Sequence, residues 1–118
     1  MEKQEKQERN LDMITIYKYP LKETRSEFEM PHQSDIIKCG YDPQGQLCLW
    51  AAVDTEQEMV PVTFIKIGTG WPLDEFLQKY NMSYVDSVNE GSFVWHIFRI
   101  QEKPVMKFAN ACEAMAHG

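Results

Sequence analysis

The 118-residue sequence is 43% hydrophobic and 25% charged, the make-up of one globular domain, which excludes a disordered, collagenous or coiled-coil chain. Its net charge of −6 argues against a nucleic-acid-binding surface as its main business, because such surfaces carry a basic face. The longest apolar runs, such as Leu47 to Val53, are far too short to span a bilayer, and no apolar segment follows the charged N-terminus as a signal peptide requires.

Residues 1–12 (MEKQEKQERNLD) hold seven charges and little apolar surface, so they read as a flexible arm outside the core. From Met13 the pattern changes. Ile14 to Leu21 is β-branched and aromatic, with Pro20 marking an edge or a strand end. Ser26 to Met30 alternates Phe28 and Met30 with charges. Asp35 to Tyr41 and Leu47 to Val53 flank Asp42-Pro43-Gln44-Gly45, a type I turn with glycine placed for the left-handed region. Asp54, Glu56 and Glu58 read as a solvated hairpin turn before the strand from Val60 to Gly68. Pro72 to Tyr80 is helical, with Pro72 in the first turn, Asp74 and Glu75 early, Lys79 late, and Leu73, Phe76 and Leu77 on one face. Met82 to Val88 and Ser92 to Ile100 form a last hairpin around Asn89-Glu90-Gly91. Beyond residue 100 the tail carries an apolar stripe through Val105, Phe108, Ala109, Cys112 and Ala116, the mark of a second helix.

These elements predict one domain over residues 13–100 between the arm and a tail at 101–118. The fold class is α+β, mainly β. About seven mostly antiparallel strands form a curled sheet, sandwich or partial barrel, with one or two short helices. The turn at Asp42 fixes a register in which Tyr41 faces Leu47, Gly40 faces Cys48 and Cys39 faces Leu49. Cys39 and Cys48 then point to opposite faces and cannot form a disulfide with each other. With Cys112 they make an odd count, which fits free thiols in a reducing compartment. Ile37, Cys39, Tyr41, Leu47, Leu49 and Ala51 form a core face, and Trp50 lies on the other. In the last strand Phe93, Trp95 and Ile97 share one face and Val94, His96 and Phe98 the other. Both are apolar, as in a central strand covered on both sides by helices or by a second subunit, so a homo-oligomer is a candidate.

Chemistry-bearing residues are sparse. His96 stands among apolar neighbours, as a general base or as a buried histidine bonded to backbone. Gly68-Thr69-Gly70-Trp71 lies between a strand and a helix, where a glycine-rich loop can offer backbone N–H groups to an anion or make a sharp turn. It lacks the P-loop lysine and the third glycine of a dinucleotide fingerprint, and Asp74 and Glu75 repel phosphate. Trp71 is a ligand platform or a staple for the loop. Trp50, Tyr17 and Tyr19 complete the binding candidates, the two tyrosines as stacking groups or as shields for a sheet edge. His32 and His117 form no metal spacing with the cysteines, no nucleophile motif is present, and neither cofactor nor metal is expected.

The blocks TIYKYPL, GQLCLWAAVD, FIKIGTGWPL, SYVDSV and GSFVWHIF follow one another between Met13 and Phe98. In that order they resemble a small family of uncharacterised bacteriophage and prophage proteins, with an IYKY-type strand, a CLWAxVD strand, a GTGxP loop and a closing FVWHIF-type strand. The resemblance implies a phage or prophage origin and action in the cytoplasm of a bacterial host, and it transfers no catalytic residue. The expected function is that of a non-enzymatic accessory protein binding a host macromolecule, first of all a host protein, to inhibit host defence or metabolism. The alternatives are a binder of a small nucleotide-type ligand at the Gly68–Trp71 loop, and a structural protein of the virion. Direct nucleic-acid binding and a membrane location are not expected.

Overall fold

The computed structural model describes residues 14–104. The arm at 1–12 and the stripe that begins at Val105 lie outside them. Within them the chain forms seven strands and one short helix: β1 (Ile14–Pro20), β2 (Arg25–Pro31), β3 (Asp35–Tyr41), β4 (Leu47–Asp54), β5 (Met59–Gly68), α1 (Asp74–Lys79), β6 (Tyr80–Glu90) and β7 (Phe93–Glu102). The expected seven strands are all present, every pairing is antiparallel, and the class is α+β, mainly β.

The strands divide between two sheets, a three-stranded one in the order β1-β4-β3 and a four-stranded one in the order β2-β5-β7-β6. Only β3–β4 and β6–β7 are hairpins; the links β1–β2, β2–β3 and β4–β5 each carry the chain from one sheet to the other. The acidic turn after Asp54 is therefore a corner between sheets rather than the hairpin turn expected there. Its closure is local: the Asp54 side chain accepts from the Glu56 N–H at 3.0 Å and its carbonyl from the Gln57 N–H at 3.0 Å.

Alternation along β4 and β5 explains the core. Leu49, Ala51 and Val53 point from β4 toward Val62 and Phe64 of β5, joined by Ile97 of β7, Met30 of β2 and Leu21. All are buried, and each large apolar side chain fully removed from water contributes about 1.5–3 kcal/mol. The odd-numbered positions Ile65 and Ile67 point to the opposite face of the same sheet. There, with Ile100, they meet Leu73, Phe76, Tyr80, Met82 and Phe98. The four-stranded sheet is thus apolar on both sides, covered on one by the second sheet and on the other by α1 and its flanks.

The helix is shorter than its pattern. It starts at Asp74 rather than Pro72, with Leu73 as an N-cap that makes no side-chain cap, and the chain turns directly into β6 at Tyr80. With so few turns the buried stripe runs through Leu73, Phe76 and Tyr80, and Leu77, expected on that face, is 52% exposed.

The Asp42 turn follows its sequence closely. Gly45 sits at φ 83°, and one Asp42 carboxylate oxygen accepts from the N–H groups of Gln44 and Gln46, both at 2.9 Å. The other carboxylate oxygen takes the Lys18 ammonium at 3.0 Å. Tyr41, Gly40 and Cys39 face Leu47, Cys48 and Leu49 as the loop length dictates, and Cys39 and Cys48 are free thiols. Further along β3 the register slips between Ile36 and Lys38. Ile37 is the extra residue of a β-bulge. It turns outward at 53% exposure, and Ile36 takes the inward place that plain alternation assigns to Ile37.

Tyr17 and Tyr19 lie opposite Ala51 and Leu49, on the inward face of β1. Tyr17 is at the margin and 42% exposed, whereas Tyr19 is buried with its ring 5.2 Å from that of Phe28. The Tyr19 hydroxyl is buried with no hydrogen-bond partner among the described residues. An unmet buried donor costs about 1–3 kcal/mol, so Tyr19→Phe is expected to raise stability by about 1 kcal/mol in urea unfolding. A loss of stability would show that the hydroxyl has a partner. The bulge predicts that Ile36→Ala costs about 1–2 kcal/mol in the same measurement and Ile37→Ala less than about 0.5. Equal costs would restore the unbulged register.

Candidate binding site

Five of the eight candidate residues meet at one end of the four-stranded sheet. β5 stops at Gly68, and the next residues make a tight turn in which the Trp71 N–H donates to the Gly68 carbonyl at 3.0 Å. Gly70, third of the four, has φ 91°, the positive value that a type II turn demands of that position. The Thr69 N–H donates to the Val94 carbonyl at 3.3 Å. The N–H groups of Thr69 and Trp71 are thus spent on carbonyls of the sheet, so GTGW builds a sharp turn rather than an anion cradle.

Gly68 is set by a different need. It pairs with Trp95, and a Cβ there would collide with the Phe93 ring and lie 2.8 Å from that of Trp71. Only a bare backbone lets the three aromatic rings close over the strand end. Trp71 stands edge-on to Trp95, with centroids 5.5 Å apart and planes at 85°, and Phe93 lies 4.8 Å from Trp95. Offset and edge-on aromatic pairs add about 0.5–1.5 kcal/mol beyond their burial. Trp71 is therefore a staple and an exposed platform at once: its ring is fixed by two aromatic neighbours while 41% of the residue faces solvent.

His96 shares a face with Ile67, its partner across the ladder. Its Nε2 lies 2.7 Å from the Thr69 hydroxyl and its Nδ1 lies 3.0 Å from the Ser87 hydroxyl, which in turn lies 2.8 Å from the Tyr84 hydroxyl. Both ring nitrogens are bonded to hydroxyls, so the chain of hydroxyls orients the imidazole and ties the turn to β6. Neither ring nitrogen is bonded to a carboxylate, the group that orients a general base in a catalytic triad.

Two hollows flank Trp71. A small one of about 160 Å³ is lined by Ile67, Gly68, Thr69, Leu73, His96 and Phe98 along with Trp71 and Gly70. The larger, of about 410 Å³, opens between Trp71 and α1, with Ile67 and Phe76 as its apolar walls, Thr24 and Pro72 at its sides, and Asp74 and Glu75 at its rim. Arg25, on the neighbouring β2, donates to the Tyr80 hydroxyl at 2.8 Å and lies 5.4 Å from the centre of the Tyr80 ring.

The remaining candidates lie elsewhere. Trp50 is on the outer face of the three-stranded sheet, flanked across the ladder by Lys18 and Lys38, whose ammonium lies 5.1 Å over the indole. Tyr17 and Tyr19 face the inter-sheet core. Sequence reading missed Thr24 and Phe76 as lining groups and the Ser87–Tyr84 partners of His96. Ser87 reaches His96 because the ladder slips between Tyr84 and Asp86, a bulge that no local residue signals. Missed too was the group behind Trp95: Glu90 accepts from the Trp95 indole N–H at 2.8 Å and from the Tyr41 hydroxyl at 3.0 Å, joining the two sheets. Lys66 lies 4.8 Å over the Trp95 ring and donates to the Leu21 carbonyl at 2.9 Å; burial pulls its ammonium below the usual lysine range.

Fold and corner together define a small two-sheet β domain with a partly exposed aromatic corner at the end of one sheet. Residues 13–107 match a family described as a domain of unknown function (DUF7352), and the chain belongs to that family. Neither the curated proteins nor the solved structures give a significant match. No helix among the described residues is long and apolar enough to cross a membrane.

The hydrogen bonds from Trp95 and then Tyr41 hold the Glu90 carboxyl below its ordinary 4.5. A carboxyl with a lowered folded pKa stabilises the fold above its unfolded value and loses that contribution as the pH falls through the folded one. Unfolding followed from pH 7 down to pH 2 should therefore show an acid-sensitive part that Glu90→Gln removes. Parallel acid profiles for the two proteins would show that the contact is not made in solution.

Proposed function

We propose that this domain is a non-enzymatic accessory protein of phage or prophage origin that binds a host protein through the Trp71 corner. Trp71 itself carries the reading. A tryptophan fixed edge-on by Trp95 and Phe93, yet 41% exposed beside an apolar hollow, has the character of residues that dominate protein interfaces. Its rotamer entropy is already spent in the free protein, so little more is lost on docking. The origin and the bacterial cytoplasm rest on the order of sequence blocks from Met13 to Phe98 that resembles phage and prophage proteins. The non-enzymatic role is supported by His96, whose two ring nitrogens are both occupied by hydroxyls. Inhibition of host defence or metabolism follows from that class of protein.

A second reading, capture of a small ligand, is favoured by the hollow of about 410 Å³, within the usual range for ligand pockets. A nucleotide suits it poorly, with Asp74 and Glu75 lining it and the N–H groups of Thr69 and Trp71 already bonded.

The deciding experiment is affinity capture from bacterial lysate with the full chain, beside Trp71→Ala and Trp50→Ala variants of verified fold. One stoichiometric partner, lost with Trp71→Ala and kept with Trp50→Ala, is the expected result. An empty capture by well-folded protein would overturn it in favour of the small ligand, and self-association by light scattering would make the partner a second copy.

A further inference from the structure

Three aromatic rings in this chain already hold a cation of its own: Lys66 lies over Trp95, Lys38 over Trp50 and Arg25 over Tyr80. Trp71, the most exposed of the three tryptophans, has none among the described residues, and tryptophan offers the best face for such a contact. Asp74 and Glu75 stand beside it, both exposed, with no side-chain hydrogen bond or ion pair among the described residues, where the one ion pair joins Lys18 to Asp42. An aromatic face without a cation and two carboxylates without a counter-charge thus border the same hollow, with Phe76 and Ile67 as apolar walls.

We infer that the hollow between Trp71 and α1 receives a basic side chain, arginine or lysine, of the protein partner. The inference rests on the Trp71 corner being the contact surface and names the chemistry that enters it. The aliphatic stem of such a residue lies against Ile67, Pro72 and Phe76, its cationic head faces the Trp71 ring, and Asp74 and Glu75 accept its N–H groups from the rim. Arg25, on the neighbouring strand β2, is held by Tyr80 and does not line the hollow. The net charge of −6 draws a basic partner at long range, and the carboxylates that exclude phosphate select for it at contact.

The test titrates isotope-labelled full chain with N-acetyl-arginine methylamide and, in parallel, with its neutral isostere N-acetyl-citrulline methylamide, followed by amide and indole N–H resonances. The arginine probe should give saturable shifts at the Trp71 indole and at the amides of Asp74, Glu75 and Phe76. The Asp74→Asn/Glu75→Gln double variant should weaken them about tenfold, as about 1.4 kcal/mol requires, and added salt should weaken them further. A flat arginine titration, or equal shifts with citrulline, overturns the inference. So does host-protein capture that Trp71→Ala abolishes and the double variant leaves unchanged, which sinks the basic side chain and leaves the Trp71 surface standing. Failure of wild-type capture with a positive arginine titration sinks instead the protein-binding reading.

Discussion

Everything at the functional end of the molecule follows from the need to cover β5 and β7 on both sides. Their alternation places Phe64 and Ile97 on one face and Ile65, Ile67 and Phe98 on the other, and neither set can be left in water. At about 1.5–3 kcal/mol per buried side chain, exposing either face would cost an amount comparable with a small domain's whole margin of stability. The three-stranded sheet closes the first face. Among the described residues the second is covered by a six-residue helix and its flanks, too short to cover a ten-residue strand from end to end. The hollows beside Trp71 are the remainder that this helix leaves at the end of β5.

That remainder is given shape by Gly68. Because the position has no side chain, Phe93 and Trp71 come down onto the backbone and join Trp95, whose indole N–H is anchored by Glu90 and whose ring takes Lys66 from the strand beside it. The rigidity of Trp71 is therefore borrowed from the inter-sheet core. On the opposite side the Thr69–His96–Ser87–Tyr84 chain holds the turn against β6 with hydroxyls and an imidazole alone. The turn is fixed from both faces, and with the Thr69 and Trp71 N–H groups internally bonded it displays the Trp71 side chain.

Strand positions were legible in the sequence because they depend on local alternation and turn chemistry. The Asp42 turn even determined the β3–β4 register, since its length, its Asx bonds and the left-handed Gly45 are all encoded within a few residues. Where alternation failed, the cause was a long-range demand. Ile37 reads as core and is pushed outward by a bulge that lets β3 follow β4, and Leu77 reads as buried but the helix ends before its face can count. A sandwich was among the expected architectures, but which strands join which sheet was hidden. A tight acidic turn looks the same whether it closes a hairpin or rounds a corner, and partner choice lies in side chains dozens of residues away.

The binding corner was half legible for the same reason. GTGW announces itself by composition, and His96 by standing in an apolar strand, but their meeting depends on β5 pairing with β7 at Gly68 opposite Trp95. Asp74 and Glu75 show how one local feature carries two meanings. In the sequence they are the acidic first turn of a helix, a dipole-complementing detail. In the structure they line an apolar hollow beside a tryptophan with no cation over it among the described residues, and a helix this short has little dipole for them to complement. Two exposed carboxylates with no ion pair among the described residues keep their attraction for a positive charge in solution, and the indole borders the same hollow.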